Sequence, residues 1–173
     1  VSSLSVTNTT ASTSYSTIQA AINAATAGDV IEVCAGTYNE NLTINKALTL
    51  NGANANVACG SRGAESMISV AGGTAVSITA SGVTLNGFEI TAPASTYGIS
   101  CGNTSTTTII FNNIHDIGTT VTTAHVHAIN YTVANAVART GVTISDNCIS
   151  NISSTLLSGW SSSAIGILQS TST

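Results

Sequence analysis

The spacing of apolar residues changes once near the start of the chain, from a helical period to an alternating one. Four apolar residues have the spacing i, i+3, i+4 and i+7, which places them on one face of an α-helix: Ile18, Ala21, Ile22 and Ala25. Ser16 and Gln19 have the spacing of an N-terminal capping box, and Gly28 is placed to end the helix in a left-handed cap. The pattern therefore predicts a short helix over about residues 16–27.

The segment that follows this helix alternates as a β-strand does. Ile31 and Val33 fall on one side, whereas Val30, Glu32 and Cys34 fall on the other. A short, alanine-rich helix is not stable alone, because tertiary packing supplies most of the stability of such helices. Its apolar face must therefore pack on other elements, and the strands after it are the nearest candidates.

The rest of the chain consists of short strand-like segments that resemble one another and are separated by turns. Residues 48–53 (LTLNGA) recur as 83–88 (VTLNGF), and residues 111–117 are echoed by 146–152. A third series comprises residues 97–99, 127–129 and 165–167. The equivalent positions are Leu50 with Leu85, then Phe88 with Ile114 and Ile149, then Ile99 with Ile129 and Ile167. Unequal intervals of 20 or more residues are typical of a solenoid that accepts insertions in its turns.

Asparagine stands beside four of the predicted strand ends, at Asn51, Asn86, Asn112 and Asn147. Asparagine tolerates left-handed backbone conformations, and stacked amides hydrogen-bond along a ladder of strands. These positions predict bends with left-handed backbone and with amides stacked from coil to coil.

The stretch from Tyr15 to Tyr38 has the spacing Y-x-x-I-Q-x-A-I-x-x-A-x-x-G-D-x-I-x-V-x-x-G-x-Y. This spacing resembles the N-terminal cap and first coil of the pectate-lyase-like superfamily. The resemblance implies an all-β fold, a right-handed parallel β-helix with a short N-terminal capping helix. That superfamily includes lyases, hydrolases, epimerases, phage tailspikes and adhesins, so the resemblance implies a fold rather than one activity.

We expect a polar N-terminal arm at residues 1–14 and a β-helix domain at residues 15–173. The arm would lie along the first coil, pair with another subunit or be loose, and looseness is the usual state of a terminus. The last predicted coil ends without a capping helix. Either the natural chain continues past Thr173 or a neighbouring subunit covers that coil. Because the chain begins at Val1 rather than Met, we also expect a processed or engineered form.

Charge excludes some functions. Only 6% of residues are charged and the formal net charge is −4, with three basic side chains in all. A nucleic-acid partner is excluded, because such binding requires clustered Lys and Arg. No apolar run approaches the ~18 residues that would indicate membrane insertion. A surface of hydroxyls and amides with an even number of cysteines favours an extracellular or cell-surface location.

The four cysteines, Cys34, Cys59, Cys101 and Cys148, lack the paired C-x-x-C spacing of a zinc site. They are therefore disulfide candidates. We prefer the pairing of Cys34 with Cys59 and of Cys101 with Cys148. The alternative is that they are small core residues with free thiols.

The densest group of polar candidates is formed by His115, Asp116, His125 and His127. Imidazoles two residues apart on a strand share a face and would suit a transition metal. The alternative, which we favour, makes His127 a strand-edge residue and His125 a turn residue. Trp160 would stack on a sugar or a protein partner, or would pack back on its own coil. We expect no metal or other cofactor.

Catalysis is the less favoured interpretation. Lyases of this fold hold calcium with several carboxylates beside an Arg or Lys base, and its hydrolases use two or three carboxylates in one cleft. The chain has no D-x-D, D-D or D-x-x-R pattern, and Arg139 stands alone in a predicted loop. Threonine clusters at 104–108 and 119–123 raise an ice-binding function, but unequal coils do not favour a flat array of hydroxyls.

The sequence thus predicts a secreted or cell-surface structural β-helix rather than an enzyme. It would be adhesin-like, or would associate end to end into an extracellular filament through the last coil and the N-terminal arm. Its expected partners are copies of itself, with an extracellular polysaccharide as a second candidate. The alternative is a carbohydrate-active or carbohydrate-binding segment of a polysaccharide lyase or hydrolase.

Overall fold

The computed structural model describes residues 5–118, 125–134, 140–154 and 162–170, and it describes residues 133, 134 and 162–170 by their backbone alone. The chain forms a parallel β-helix, as predicted. Within these residues seventeen strands form three sheets, so that each coil places one strand in each sheet. All strand pairs of the described residues are parallel except those of the first strand.

The strands of each sheet follow one another along the axis of the tube. Sheet A contains β2 (Thr13–Tyr15), β1 (Val6–Asn8), β3 (Val30–Val33), β6 (Thr49–Asn51), β9 (Thr84–Asn86), β12 (Thr108–Ile110) and β15 (Thr143–Ser145). Sheet B contains β4 (Gly36–Tyr38), β7 (Ser66–Ser69), β10 (Glu89–Ala92), β13 (Asn113–Ile117) and β16 (Cys148–Ile152). Sheet C contains β5 (Leu42–Ile44), β8 (Val76–Ile78), β11 (Tyr97–Gly102), β14 (Val126–Ala134) and β17 (Ser162–Ser170). We number the coils one to five, beginning with β3, β6, β9, β12 and β15.

Apolar side chains of successive coils stack inside the tube. In sheet A, Ile31, Leu50, Leu85 and Ile109 form one column, and all four are fully buried. In β3 the neighbours of Ile31 turn outward, since Glu32 is exposed and Val30 is half-buried. The alternation predicted for this strand is confirmed. Burial of such columns is the main driving force for the fold, at roughly 25 cal/mol per Å² of apolar surface.

The predicted repeat register is confirmed at three pairs of residues and wrong at two positions. Leu50 pairs with Leu85, Ile114 with Ile149 and Ile99 with Ile129. Ile114, however, lies beside Ile90 rather than Phe88, and Ile129 lies beside Ile165 rather than Ile167.

Phe88 is not a strand residue. It follows Gly87, whose φ of 79° turns the chain between sheets A and B, and its ring fills that corner inside the tube. Its equivalent in the next coil is Asn112, which is equally buried. The predicted register is wrong at Phe88 because the first apolar residue after the turn resembles the start of a strand.

The N-terminal helix, α1 (Ile18–Ala24), is shorter than predicted. Its N-cap is Thr17 rather than Ser16, and the Thr17 hydroxyl accepts a hydrogen bond from Ala20 N at 3.1 Å. The C-cap, Ala25, has an extended backbone, so Gly28 is not the helix cap. Gly28 has a φ of 97° and lies in the turn before β3.

The described part of the N-terminal arm is paired with the tube. β1 lies antiparallel to β3 of the first coil, and β2 folds back antiparallel to β1. Of the three states considered for the arm, residues 6–8 and 13–15 therefore adopt the first, in which the arm lies along the first coil.

Residues 53–65 form a long insertion between β6 and β7, which we call the strap. It includes one turn of 3₁₀ helix, Cys59–Ser61. The strap leaves the second coil at a point where the backbones of the second and third coils are very close. A Cβ added at Gly52 would lie 2.5 Å from Gly87 O. The close approach explains why glycine is required at both positions.

Candidate functional site

His115 lies at the centre of a polar row on the outer face of sheet B. Its Nε2 lies 2.8 Å from Glu89 Oε1 on β10, and its Nδ1 lies 2.8 Å from Asp116 Oδ2. Asn151 Nδ2, on β16, donates a hydrogen bond to the other oxygen of Asp116. The row therefore joins the third, fourth and fifth coils.

The local backbone explains how Asp116 and Asn151 come to face the same way. Both have left-handed conformations, with φ of 54° and 49°, and they lie at matching positions where β13 pairs with β16. The stacking of these two residues, which follows from the sequence echo of 111–117 in 146–152, is confirmed.

The electrostatics of this row favour a charged imidazole. Burial alone would lower the pKa of His115, but hydrogen bonds and charge from Glu89 and Asp116 outweigh burial and raise it. Hydrogen bonds from His115 and from Asn151 hold the pKa of Asp116 below its usual value. Both ring nitrogens of His115 therefore donate to carboxylates when the ring is protonated.

The hydrogen bonds of His115 determine whether this row could act as a general base. A general base needs a nitrogen that accepts a proton from substrate, whereas both nitrogens of His115 face carboxylates of the fold. In the same outward column Thr91 Oγ1 donates to Ser69 Oγ at 3.2 Å, and Ser150 follows His115 in the next coil. The arrangement serves best to hold neighbouring coils together.

The other two histidines form a separate stack on sheet C. The ring of His127 lies parallel to that of Tyr97, with centroids 5.8 Å apart, and also stacks with His125 at 6.2 Å. Burial, with a smaller contribution from His125, lowers the pKa of His127. The constellation predicted from the sequence is thus divided into two groups.

A metal site is not formed by these groups within the described ranges. Among the described residues no three His, Cys, Asp or Glu side chains are grouped as metal ligands.

Two acidic residues near the N-terminal end of the tube are used by the fold. Glu40 accepts hydrogen bonds from the first two amides of α1, at 2.8 Å from Ile18 N and 2.9 Å from Gln19 N. Asp29 accepts from Asn8 Nδ2 at 2.7 Å and from Thr26 N at 2.9 Å. These bonds, that from Asn8 foremost, lower the pKa of Asp29.

Two further acidic residues accept hydrogen bonds from side chains of the second coil. Glu32 accepts from Asn51 Nδ2 at 2.8 Å. Glu65 forms an ion pair with Arg62, with Nε and Oε1 2.6 Å apart, and also accepts from Asn54 Nδ2. Both carboxylates are thus engaged by partners within the chain.

The opposite end of α1 is held by Lys46. Its ammonium group donates to three carbonyl groups at the helix C-terminus, namely Ile22 O at 3.0 Å and Asn23 O and Ala25 O at 2.7 Å. A cation suits this end of a helix, where carbonyl oxygens lack intrahelical partners. Glu40 and Lys46 were not predicted as site residues. The signal that could have indicated them is their position on either side of β5.

Gln19 has a different role from the predicted capping box. Its side-chain amide accepts from Thr43 N at 2.8 Å and donates to Thr43 O at 3.3 Å. It therefore pairs with β5 as a further strand would, and it covers the first strand of sheet C.

The disulfide joins cysteines other than those we paired. Cys59 of the strap is bonded to Cys148 of the fifth coil, with Cα atoms 5.8 Å apart. Cys34 is exposed and free, and Cys101 is buried and free. Burial raises the pKa of Cys101 to about 12, so this thiol is inert. The predicted pairing was wrong because the strap runs along the tube axis and carries Cys59 past two intervening coils.

The predicted stacking of asparagine amides is confirmed within two pairs but not between them, since Asn86 pairs in register with Ile110 rather than with Asn112. Asn112 Nδ2 donates to Asn147 Oδ1 at 3.0 Å, and Asn86 Nδ2 lies 3.4 Å from Asn51 Oδ1. The left-handed residues are neighbours of these asparagines, at Gly87, Phe111 and Asp146. Trp160 and Arg139, named from the sequence, lie outside the described residues.

No protein-family model matches the chain, and no curated protein or solved structure matches it significantly. In the part of the chain that the structure describes, no helix has the length and apolar character to cross a bilayer.

Proposed function

We propose that this chain is a structural module of a secreted or cell-surface protein, adhesin-like in role, and that it belongs to the pectate-lyase-like superfamily. One observation carries the proposal: six of the seven acidic residues are hydrogen-bonded within the fold. They are Asp29, Glu32, Glu40, Glu65, Glu89 and Asp116, and the seventh is Asp146.

Carboxylates bound in this way are poorly suited to hydrolysis. Acid–base cleavage of a sugar needs two carboxyl groups that face one cleft and can reach substrate. Here the carboxylates cap a helix, pair with Arg62 or connect coils. They stabilise the tube, which is what a rigid spacer requires.

The setting proposed for the module rests on its chemistry. A disulfide persists in oxidising, extracellular compartments. The superfamily assignment is supported by the spacing from Tyr15 to Tyr38 and by a tube of parallel coils that begins with a helix. The described part of the arm is engaged by its own first coil, so arm exchange is not part of the proposal.

A carbohydrate-binding function is the second candidate. The observation that favours it is the outward column on sheet B in which Ser69, Thr91, His115 and Ser150 follow one another. Such a column presents hydroxyls and one imidazole along the axis of the tube, as an extended sugar chain would require.

Two measurements test the structural proposal. Electron microscopy and sedimentation velocity of the purified protein should show rods, either single or joined into filaments. Incubation with pectate or alginate and calcium should produce no unsaturated product by ultraviolet absorbance. Product formation that is lost in Glu89→Gln but kept in Glu32→Gln would overturn the structural proposal in favour of the enzyme.

A further inference from the structure

The strap touches every coil that it passes. In the third coil, Asn56 N donates to Asn86 Oδ1 at 3.0 Å. In the fourth, Arg62 donates to Phe111 O. In the fifth, Cys59 is bonded to Cys148, 89 residues away in sequence. One loop of the second coil thus reaches three coils beyond its own.

The strap keeps its shape by bonds that do not involve the disulfide. Asn54 closes its base, since its Oδ1 accepts from Gly63 N at 2.8 Å and its Nδ2 donates to Ala64 O at 3.1 Å. The ion pair between Arg62 and Glu65 fixes its returning half. Cleavage of the disulfide would therefore uncouple a strap that is still folded.

The described side chains of the fifth coil bury little apolar surface. Residues 140–154 include no buried residue, and Val142 is 36% exposed. In the fourth coil, by contrast, Ile109, Ile114 and Ile117 are fully buried. In a solenoid each coil is stabilised by its immediate neighbours. The apolar side chains of β15 and β16 are only partly buried, so these two strands gain less from that contact than β12 and β13 do.

We propose that the Cys59–Cys148 bond is a redox-controlled clasp that holds the fifth coil on the tube. While the bond is intact, the fifth coil opens only if the strap also leaves the third and fourth coils. Once the bond is reduced, the fifth coil opens by itself and the first four coils stay folded. The inference does not depend on the proposed structural role.

The chemistry of release is thiol–disulfide exchange with a dithiol. A thiolate of the dithiol attacks one sulfur and forms a mixed disulfide, and the other cysteine leaves as a thiolate that takes up a proton. The second thiol of the reductant then displaces the first cysteine. Two cysteine thiols and one oxidised dithiol result, so that two electrons and two protons pass to the protein.

Limited proteolysis with thermolysin tests the clasp, because this protease cuts before apolar residues and the fifth coil offers Val142, Ile144 and Ile149. The full chain is compared before and after treatment with dithiothreitol, with fragments identified by mass spectrometry. We expect cleavage within residues 140–154 to rise about tenfold or more on reduction, while cleavage within residues 30–110 is unchanged.

Two variants complete the test. Cys59→Ser should be cut in the fifth coil as fast as the reduced parent protein, with or without dithiothreitol. Cys34→Ser should respond to dithiothreitol as the parent protein does. If Cys59→Ser fails to fold, reduction of the folded parent protein provides the same comparison. Equal cleavage in both redox states would overturn the proposal. So would cleavage that rises equally in all coils, because the bond would then stabilise the tube as a whole.

Discussion

The two ends of the described tube are held by different means. At the N-terminal end, Ile18 and Ile22 of α1 are fully buried, and charged side chains of the first coil bind both ends of the helix. At the other end, Ile144 and Ile149 are only partly buried against the core, and a covalent bond from the strap fixes the coil.

The difference shows two ways in which a coil with one described neighbour is held. The core of a solenoid is contributed by successive coils, and within the described residues the first and fifth coils each have a neighbouring coil on one side only. The first coil packs its open side against a helix that covers its core. The fifth coil is attached to coils far from it in sequence, which makes its opening depend on contacts of the second, third and fourth coils.

The largest effect on this comparison is expected from Gly87→Ala. A Cβ at this position would lie 2.2 Å from Ala55 N of the strap, and the φ of 79° is unfavourable for alanine. We expect a loss of roughly 3 kcal/mol in the free energy of unfolding, measured with urea. Gly72→Ala is the matched control, because a Cβ there meets nothing within 4 Å, and it should change stability by less than about 0.5 kcal/mol.

Lys46→Met should weaken the N-terminal end alone. The substitution keeps an unbranched side chain and removes three charge-assisted hydrogen bonds to the carboxyl end of α1. We expect a loss of about 1.5–3 kcal/mol in urea unfolding. An unchanged unfolding free energy, with Thr13→Ala as an exposed reference, would show that the helix is held by its apolar face and not by Lys46.

Glu40→Gln should have a smaller effect at the opposite end of the same helix. Glutamine keeps one oxygen acceptor but removes the negative charge near the helix N-terminus and one of two bonds to the amides. We expect a loss of about 0.5–1 kcal/mol. Glu32 accepts a hydrogen bond from the side-chain amide of Asn51 and does not lie at a helix terminus. Glu32→Gln should therefore lose less stability.

The smallest predicted effect is on pH dependence. The raised pKa of His115 means that its contribution to stability is complete below the ordinary value of 6.5 and is lost as pH rises through the higher folded value. The lowered pKa of Asp116 means that its contribution is present above the ordinary value of 3.8 and is lost as pH falls through the lower folded value. The row therefore stabilises most between about these two ordinary values.

Thermal unfolding of the parent protein and of His115→Gln should show this dependence. The difference in melting temperature between them should shrink as pH rises from 6 to 9. The comparison removes the opposite contribution of His127, whose lowered pKa makes the fold more stable as pH rises through its folded value toward 6.5. A difference that is constant with pH would contradict the charged row.

Periodicity was sufficient to predict what depends on neighbouring residues. The inward face of β3, the stripe of Ile18, Ala21 and Ile22, and the pairing of Leu50 with Leu85 were all readable from spacing. Each rests on local geometry or on repetition of a local pattern.

What spacing did not predict depends on where the closed coils bring distant segments. Cys59 meets Cys148 because the strap follows the axis, and nothing local to either cysteine specifies that path. Likewise Lys46 reaches α1 only after the chain has completed its first turn. Phe88 was misplaced because a corner residue and a strand residue can be equally apolar.

Residue-resolved hydrogen exchange is the most direct test of two ends held independently. The account predicts two separate footprints: Lys46→Met should speed exchange in residues 18–24 and 42–44, and reduction of the disulfide should speed exchange in residues 143–152. Neither change should alter the segment affected by the other. A single footprint shared by both perturbations would contradict the account.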